Sequence, residues 1–182
     1  MLKKRRQAIA AAAFALVLAL SSLTSALPAQ SRLEFRMRTA DGGEITSDML
    51  RGDVVVLAFG ASWLPLSREQ VRGVQELADE FEARNVRVYW VSTDSDKSGS
   101  KNYASDDQLR AFARKHGLKA AVLRDPDGAF FKRLGVPGNQ LPAIVLLDRG
   151  GAVNVPSIGG LDPESKLVRD LSPRLNSLLG QQ

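Results

Sequence analysis

The sequence predicts an α/β domain: a central mixed sheet flanked by helices, with an N-terminal β-hairpin as an extension. Three observations predict it. Val54 to Phe59 is an unbroken apolar run, the pattern of a strand covered on both faces. Two later segments, Ser67 to Asn85 and Ser105 to His116, carry apolar residues at helical spacing. Finally, Arg149-Gly150-Gly151 turns one short apolar strand back on another. Buried strands alternating with one-sided helices, then a closing hairpin, make a layered domain.

Taken in order, Leu33, Phe35 and Met37 alternate with charged residues, which predicts a half-buried strand. Asp41-Gly42-Gly43 is a turn, and Glu44 to Thr46 returns as a short partner. These two strands and the Val54 run are counted together as one leading sheet edge. The first helix has a stripe at Val71, Val74, Leu77, Ala78 and Phe81, and Val86 to Val91 is the next strand. A polar stretch, Ser92 to Ala104, reads as a mobile surface loop. Ser105 with Gln108 has capping-box spacing before the stripe Leu109, Phe112 and Ala113, and Gly117 ends that helix. Ala120 to Leu123 is a strand, Asp125-Pro126-Asp127-Gly128 a turn, and Ala129 to Leu134 a short helix. Ala143 to Leu147 and Ala152 to Val155 form the hairpin. Asp162-Pro163-Glu164 opens a last helix, which Pro173 is expected to kink or split.

The N-terminus reads as an address. Lys3, Lys4, Arg5 and Arg6 precede an uncharged apolar stretch, Ala8 to Leu20, and then small residues. That is the pattern of a signal peptide over residues 1–29, cut after Ala26 or Ala29, leaving a domain over 32–182. The apolar stretch falls short of the roughly 20 residues that span a bilayer, so membrane contact is expected only if the segment stays uncleaved. Arg5-Arg6 permits the twin-arginine route, but the residues after the pair fit it loosely, and ordinary export is the reading. The expected location is periplasmic or secreted. Net charge is +5 for the whole chain, and the segment supplies four of its basic residues. The exported part is therefore near neutral, and its charge gives no ground for nucleic-acid binding.

There is no cysteine. Disulfides form in exported compartments, yet this chain can neither hold one nor catalyse one, and it has no cysteine for a lipid anchor. With one histidine, His116, and three methionines, a soft transition-metal site is poorly supplied. His116 sits at a helix end, where histidine is usually a charge or packing feature. Asp94-Ser95-Asp96 begins like a calcium loop, but its twelfth position is Ser105, not a bidentate Glu. No metal and no cofactor are expected.

Val55 to Gln70 reads VVLAFGASWLPLSREQ. This resembles the TlpA/ResA redoxins, thioredoxin-like proteins of the AhpC/TSA-related superfamily, whose segment reads like VVVNFWASWCPPCRxE. Phe59, Ala61, Ser62, Trp63, Pro65 and Arg68 stand in their family places, while Gln70 replaces an acid. Val136 to Ala143 resembles the family loop that ends in a cis-proline, with Pro142 in that place. Leu147 to Gly151 resembles its closing hairpin, and Gly159-Gly160-Leu161 its approach to the last helix. The resemblance covers about Leu33 to Leu179 and implies a thioredoxin-like fold.

It also locates what is missing. Leu64 stands where the family has its attacking cysteine, and Ser67 where it has the resolving one. Ala58 fills a place that often carries an acid or amide near the thiol. Thiol–disulfide exchange needs a thiolate to attack and a second to resolve. Peroxidase chemistry also begins at sulfur. Hydrocarbon and hydroxyl do neither, so no catalytic residue is expected.

What the resemblance leaves is a surface. Trp63, Leu64, Pro65 and Leu66 make an apolar patch of the kind that marks contact sites. Leu141, before Pro142, stands where the family pairs its backbone with a bound peptide. Ser67 and Gln70 have capping-box spacing, but Pro65 suits the first helical position, and the helix is expected to start there. The favoured reading is a redox-inactive domain that binds or positions an extended segment of another envelope protein. Its rivals are an accessory subunit of a true redox partner, an enzyme of other chemistry in the same cleft, and a redoxin by descent alone.

Overall fold

The computed structural model describes residues 32–159 and 166–180. The expected signal peptide over 1–29 and the expected helix start at Asp162-Pro163-Glu164 lie outside the described residues. Two short strands, β1 (Arg36–Arg38) and β2 (Glu44–Thr46), pair antiparallel with Met37 opposite Ile45. Strands β3 (Val54–Gly60), β4 (Val86–Ser92), β5 (Val122–Arg124), β6 (Ala143–Leu147) and β7 (Val153–Gly159) form the main sheet. Its order is β5-β4-β3-β6-β7. β3, β4 and β5 run parallel, while β6 and β7 are antiparallel additions, so the sheet is mixed.

One expectation about the sheet is corrected here. β1 and β2 are the expected N-terminal hairpin, as a two-stranded sheet of their own, and β3 is the central strand that its apolar run predicts; the three do not form one leading edge. The reason lies in the side chains. Every residue of β3 is buried. Val54, Val56 and Ala58 pack into one apolar cluster, and Val55, Leu57 and Phe59 into another on the opposite face. A strand apolar on both faces needs a layer on each side as well as neighbours at both edges.

The helices are α1 (Pro65–Phe81), α2 (Asp106–Lys115), α3 (Ala129–Arg133) and α4 (Leu167–Gly180). α1, α2 and α4 cover the first face through Val71, Val74, Leu77, Leu109, Leu171 and Leu175. The second face is covered by Phe130 and Phe131 of α3, with Phe35 and Met37 from the hairpin end. The capping box of α2 is formed: Ser105 Oγ accepts the Gln108 N–H at 3.2 Å, and Gln108 Oε1 accepts the Ser105 N–H at 2.8 Å. His116 follows as the C-cap, its ring 4.7 Å from that of Phe112, and Gly117 turns away in the left-handed region (φ 72°).

α4 runs unbroken through Pro173. The expected split does not occur. Proline removes one helical hydrogen bond, but Leu167, Leu171, Leu175 and Leu178 are buried along one stripe and hold both halves against the core.

Leu57, at the middle of β3, has no solvent exposure. Leu57→Ala is expected to cost about 3 kcal/mol through lost burial and a residual cavity. Urea unfolding followed by circular dichroism measures it, with a lower midpoint and an unchanged slope as the expected result.

Candidate functional site

Where β3 ends, the chain turns through Ala61, Ser62, Trp63 and Leu64 before α1 begins. Leu64 is the N-cap, extended at φ −79° and ψ 122°, and Pro65 is the first helical residue. The helix therefore starts where proline suits it. Ser67 does not cap it. Its hydroxyl is buried and accepts the Ala61 N–H at 3.0 Å, which closes the turn from inside.

Gln70 is equally buried and makes the hydrogen bonds that join the site's parts. Its Nε2 donates to the Phe59 carbonyl at 3.2 Å and the Ala143 carbonyl at 3.1 Å, while its Oε1 accepts the Trp90 indole N–H at 3.2 Å. One amide thus binds α1 to β3, β4 and the first residue of β6. The space for it exists because residue 60 is glycine. A Cβ there would stand 2.7 Å from Ser67 Oγ and 2.9 Å from both Gln70 Oε1 and Trp90 Nε1.

The outer side of the turn is held by Asp94, another buried side chain. Its carboxylate accepts the Ser62 N–H at 2.8 Å, the Ser62 hydroxyl at 2.9 Å and the Ser92 hydroxyl at 2.8 Å. The oxygens that resembled a calcium ligand are committed to this turn. The loop that follows is closed on itself by backbone hydrogen bonds. Ser95 is buried, donates its N–H to the Asn102 carbonyl at 2.9 Å, and accepts the Ala104 N–H at 3.0 Å.

Held from both sides, the turn presents Trp63 at 55% exposure. It lines a groove of about 380 Å³ with Thr93, Phe131, Leu141 and the polar side chains of Asn102, Asp127, Lys132 and Asn139. Asp127 (φ 60°) and Asn139 (φ 49°) both adopt left-handed backbone, which non-glycine residues seldom do. The Leu141–Pro142 peptide is cis. Of the residues expected to bind, Trp63 and Leu141 meet across this groove. Leu64 and Leu66 are half-buried beside it, Pro65 is exposed and Pro142 is buried, and none of these four lines it. Asn102, Asp127, Phe131, Lys132 and Asn139 were not legible as site residues; the turn signal at Asp125 to Gly128 was the one local hint.

One buried acid supports the groove wall. The Asp125 carboxylate accepts the N–H groups of Phe130 and Phe131, each at 2.8 Å, at the start of α3. Burial pushes its carboxyl above the ordinary range, and those backbone N–H groups oppose the shift without cancelling it.

A mixed sheet under helices, with a helix starting beside a cis-proline loop, defines a thioredoxin-like protein. Its two thiol positions hold Leu64 and Ser67. The chain matches the AhpC/TSA family over residues 28–155 and belongs to that family. It is 29% identical over 145 residues to the soluble secreted antigen MPT53 of Mycobacterium tuberculosis, covering 79% of this chain and 76% of that one. Among solved structures it is similar to MTB dsbF, described in mixed oxidized and reduced forms. That match has 26% identity and a TM-score of 0.62, over 84% of this chain and 98% of the other. A Chlorobium tepidum protein provisionally described as the thiol:disulfide interchange protein DsbE shares the fold. There the TM-score is 0.67 at 24% identity, over 83% of this chain and 96% of the other.

Two outcomes test the site's construction. Gln70→Leu keeps the volume but leaves the Trp90 N–H without its partner and takes the second hydrogen bond from the Phe59 and Ala143 carbonyls, and is expected to cost about 2 kcal/mol in urea unfolding. The second concerns pH. Because the folded protein holds the Asp125 proton more tightly than the unfolded chain, this residue's contribution to stability declines as pH rises above about 4. Unfolding midpoints of wild type and Asp125→Asn, measured across acid pH, should show that decline in the wild type and a flatter profile in the variant.

Proposed function

We propose that this is an exported, redox-inactive member of its family that docks an extended segment of another envelope protein in the groove between Trp63 and Leu141. One observation carries the reading. A large aromatic ring is held in solvent by buried hydrogen bonds from Asp94, Ser67 and Gln70, opposite a half-buried leucine. Exposing Trp63 forgoes the burial that an aromatic side chain normally gains, and aromatic anchors of this kind dominate binding energy at interfaces. The groove suits an extended chain. Trp63, Phe131 and Leu141 offer apolar contact, and Asn102, Asp127, Lys132 and Asn139 offer donors and acceptors for a peptide backbone.

Chemistry in the groove is not part of the proposal. No residue of the turn or of the helix start carries sulfur. The Ser67 hydroxyl is buried and already accepts a backbone N–H, which leaves it unsuited to nucleophilic attack. A periplasmic or secreted location accords with the N-terminal pattern, and the related MPT53 is described as a soluble secreted antigen.

A photo-crosslinking residue placed at Leu141, in cells that export the protein, tests the reading. A discrete protein adduct is expected, and Trp63→Ala should deplete it by weakening the complex about 2 kcal/mol, roughly 30-fold in Kd. Leu64→Asp, which puts a charge beside the groove, should deplete it as well. If both variants fold normally and the adduct forms undiminished, the groove is not the docking surface.

A further inference from the structure

The start of α1 and the end of α2 share an exposed face that collects cations. Arg68 and Arg72 are exposed and four residues apart, so they project from one side of α1. Gln75 continues that stripe. Its Oε1 accepts the backbone N–H groups of Lys119 at 2.6 Å and Ala120 at 3.0 Å, which fastens α1 to the chain just beyond α2. The stripe therefore runs beside the C-terminal end of α2, where Lys115 and His116 close the helix and Lys119 comes three residues later. Burial, and then the charges of Lys115, Arg68 and Arg72, hold the His116 imidazole below its usual range, as expected of near neighbours.

Among the described residues no acid forms an ion pair on this face. Arg68, Arg72, Lys115 and Lys119 form no ion pair among the described residues. Glu69 and Glu76 lie on α1 with Arg72, yet neither reaches ion-pair distance of it. The contrast with other arginines is sharp. Arg36, Arg38, Arg87 and Arg110 are paired with acids, Arg84 and Arg133 lie over phenylalanine rings, and Arg174 holds Asn154.

Local helix electrostatics accounts for only part of these charges. Lys115 complements the negative end of the α2 dipole. Arg68 lies near the positive end of α1, whose first turn has no acidic residue. A cation is disfavoured there unless an anion comes from outside.

We propose that this face docks an acidic segment of a partner polypeptide, recognised through its carboxylates by Arg68, Arg72 and Lys115. Guanidinium groups suit the task, since each can grip a carboxylate through two parallel hydrogen bonds. An anionic bilayer is the poorer occupant. Among the described residues the exposed large apolar ones are Met49, Trp63, Tyr103 and Ile158, and none belongs to this face. The apolar stripes of both helices are spent on the core, so nothing remains to enter a membrane surface. The surface is separate from the Trp63 groove and does not depend on it.

Fluorescence anisotropy of the purified exported protein with a labelled glutamate peptide of about twelve residues tests this. Binding is expected near 20 mM salt, with loss by about 300 mM, because exposed charges are screened over that range. Arg68→Glu with Arg72→Glu should weaken it at least about tenfold, and Arg68→Gln with Arg72→Gln by less. The charge-matched pair Arg84→Glu with Lys101→Glu should change it less than about twofold. Equal loss from both glutamate pairs would reduce the effect to net charge and overturn the proposal. So would absence of binding at low salt, or capture of phosphatidylglycerol vesicles without capture of the peptide.

Discussion

A single buried amide holds the site together. Gln70 sits one turn into α1 and reaches the last residues of β3, the first residue of β6 and the indole of Trp90. Those partners belong to three strands of the main sheet, so the helix start, the strand ends and the cis-proline loop are placed relative to one another by the same group. A buried amide is costly when unpaired and rigid when satisfied. Here its oxygen and its Nε2 are both engaged, and glycine at position 60 leaves the room they need. The presentation of Trp63 follows from that arrangement, with Asp94 fixing the outer edge of the same turn.

This explains how a family scaffold persists without its thiol pair. The hydrogen bonds that shape the turn come from Ser67, Gln70 and Asp94, and none requires a thiol. Ser67 stands where a resolving sulfur is expected, and its hydroxyl now serves the backbone of the turn. Leu64 replaces an attacking sulfur with hydrocarbon at a half-buried helix cap. Shape and reactivity are separable in this fold, because the residues that build the groove are not those that would carry electrons. The groove is retained, and the exposed cations on α1 and α2 give the molecule a second face with a different chemistry.

Local signals in the sequence carried most of the fold. Ser105 and Gln108 are three residues apart, so their capping box depends on nothing distant. The β3 run declared its two-sided burial by composition alone. The failures were non-local. Gln70 bonds residues 11 and 73 positions away in sequence, and its spacing from Ser67 instead mimicked a cap. Asp94 looked like a ligand because its real partner, Ser62, is 32 residues earlier. Asp127, Phe131 and Lys132 enter the groove only because Asp125 anchors α3 beneath it, a contact that periodicity does not encode. Pro173 shows the reverse case, in which a strong local breaker is overruled by the buried leucines around it.

The most direct measurement is reduction of insulin disulfides by dithiothreitol, with the wild-type protein beside a Leu64→Cys, Ser67→Cys double variant. An intact scaffold without sulfur predicts background rates for the wild type and acceleration by the variant, whose thiols occupy the helix start. Sustained turnover by the pure wild-type chain would contradict the account outright.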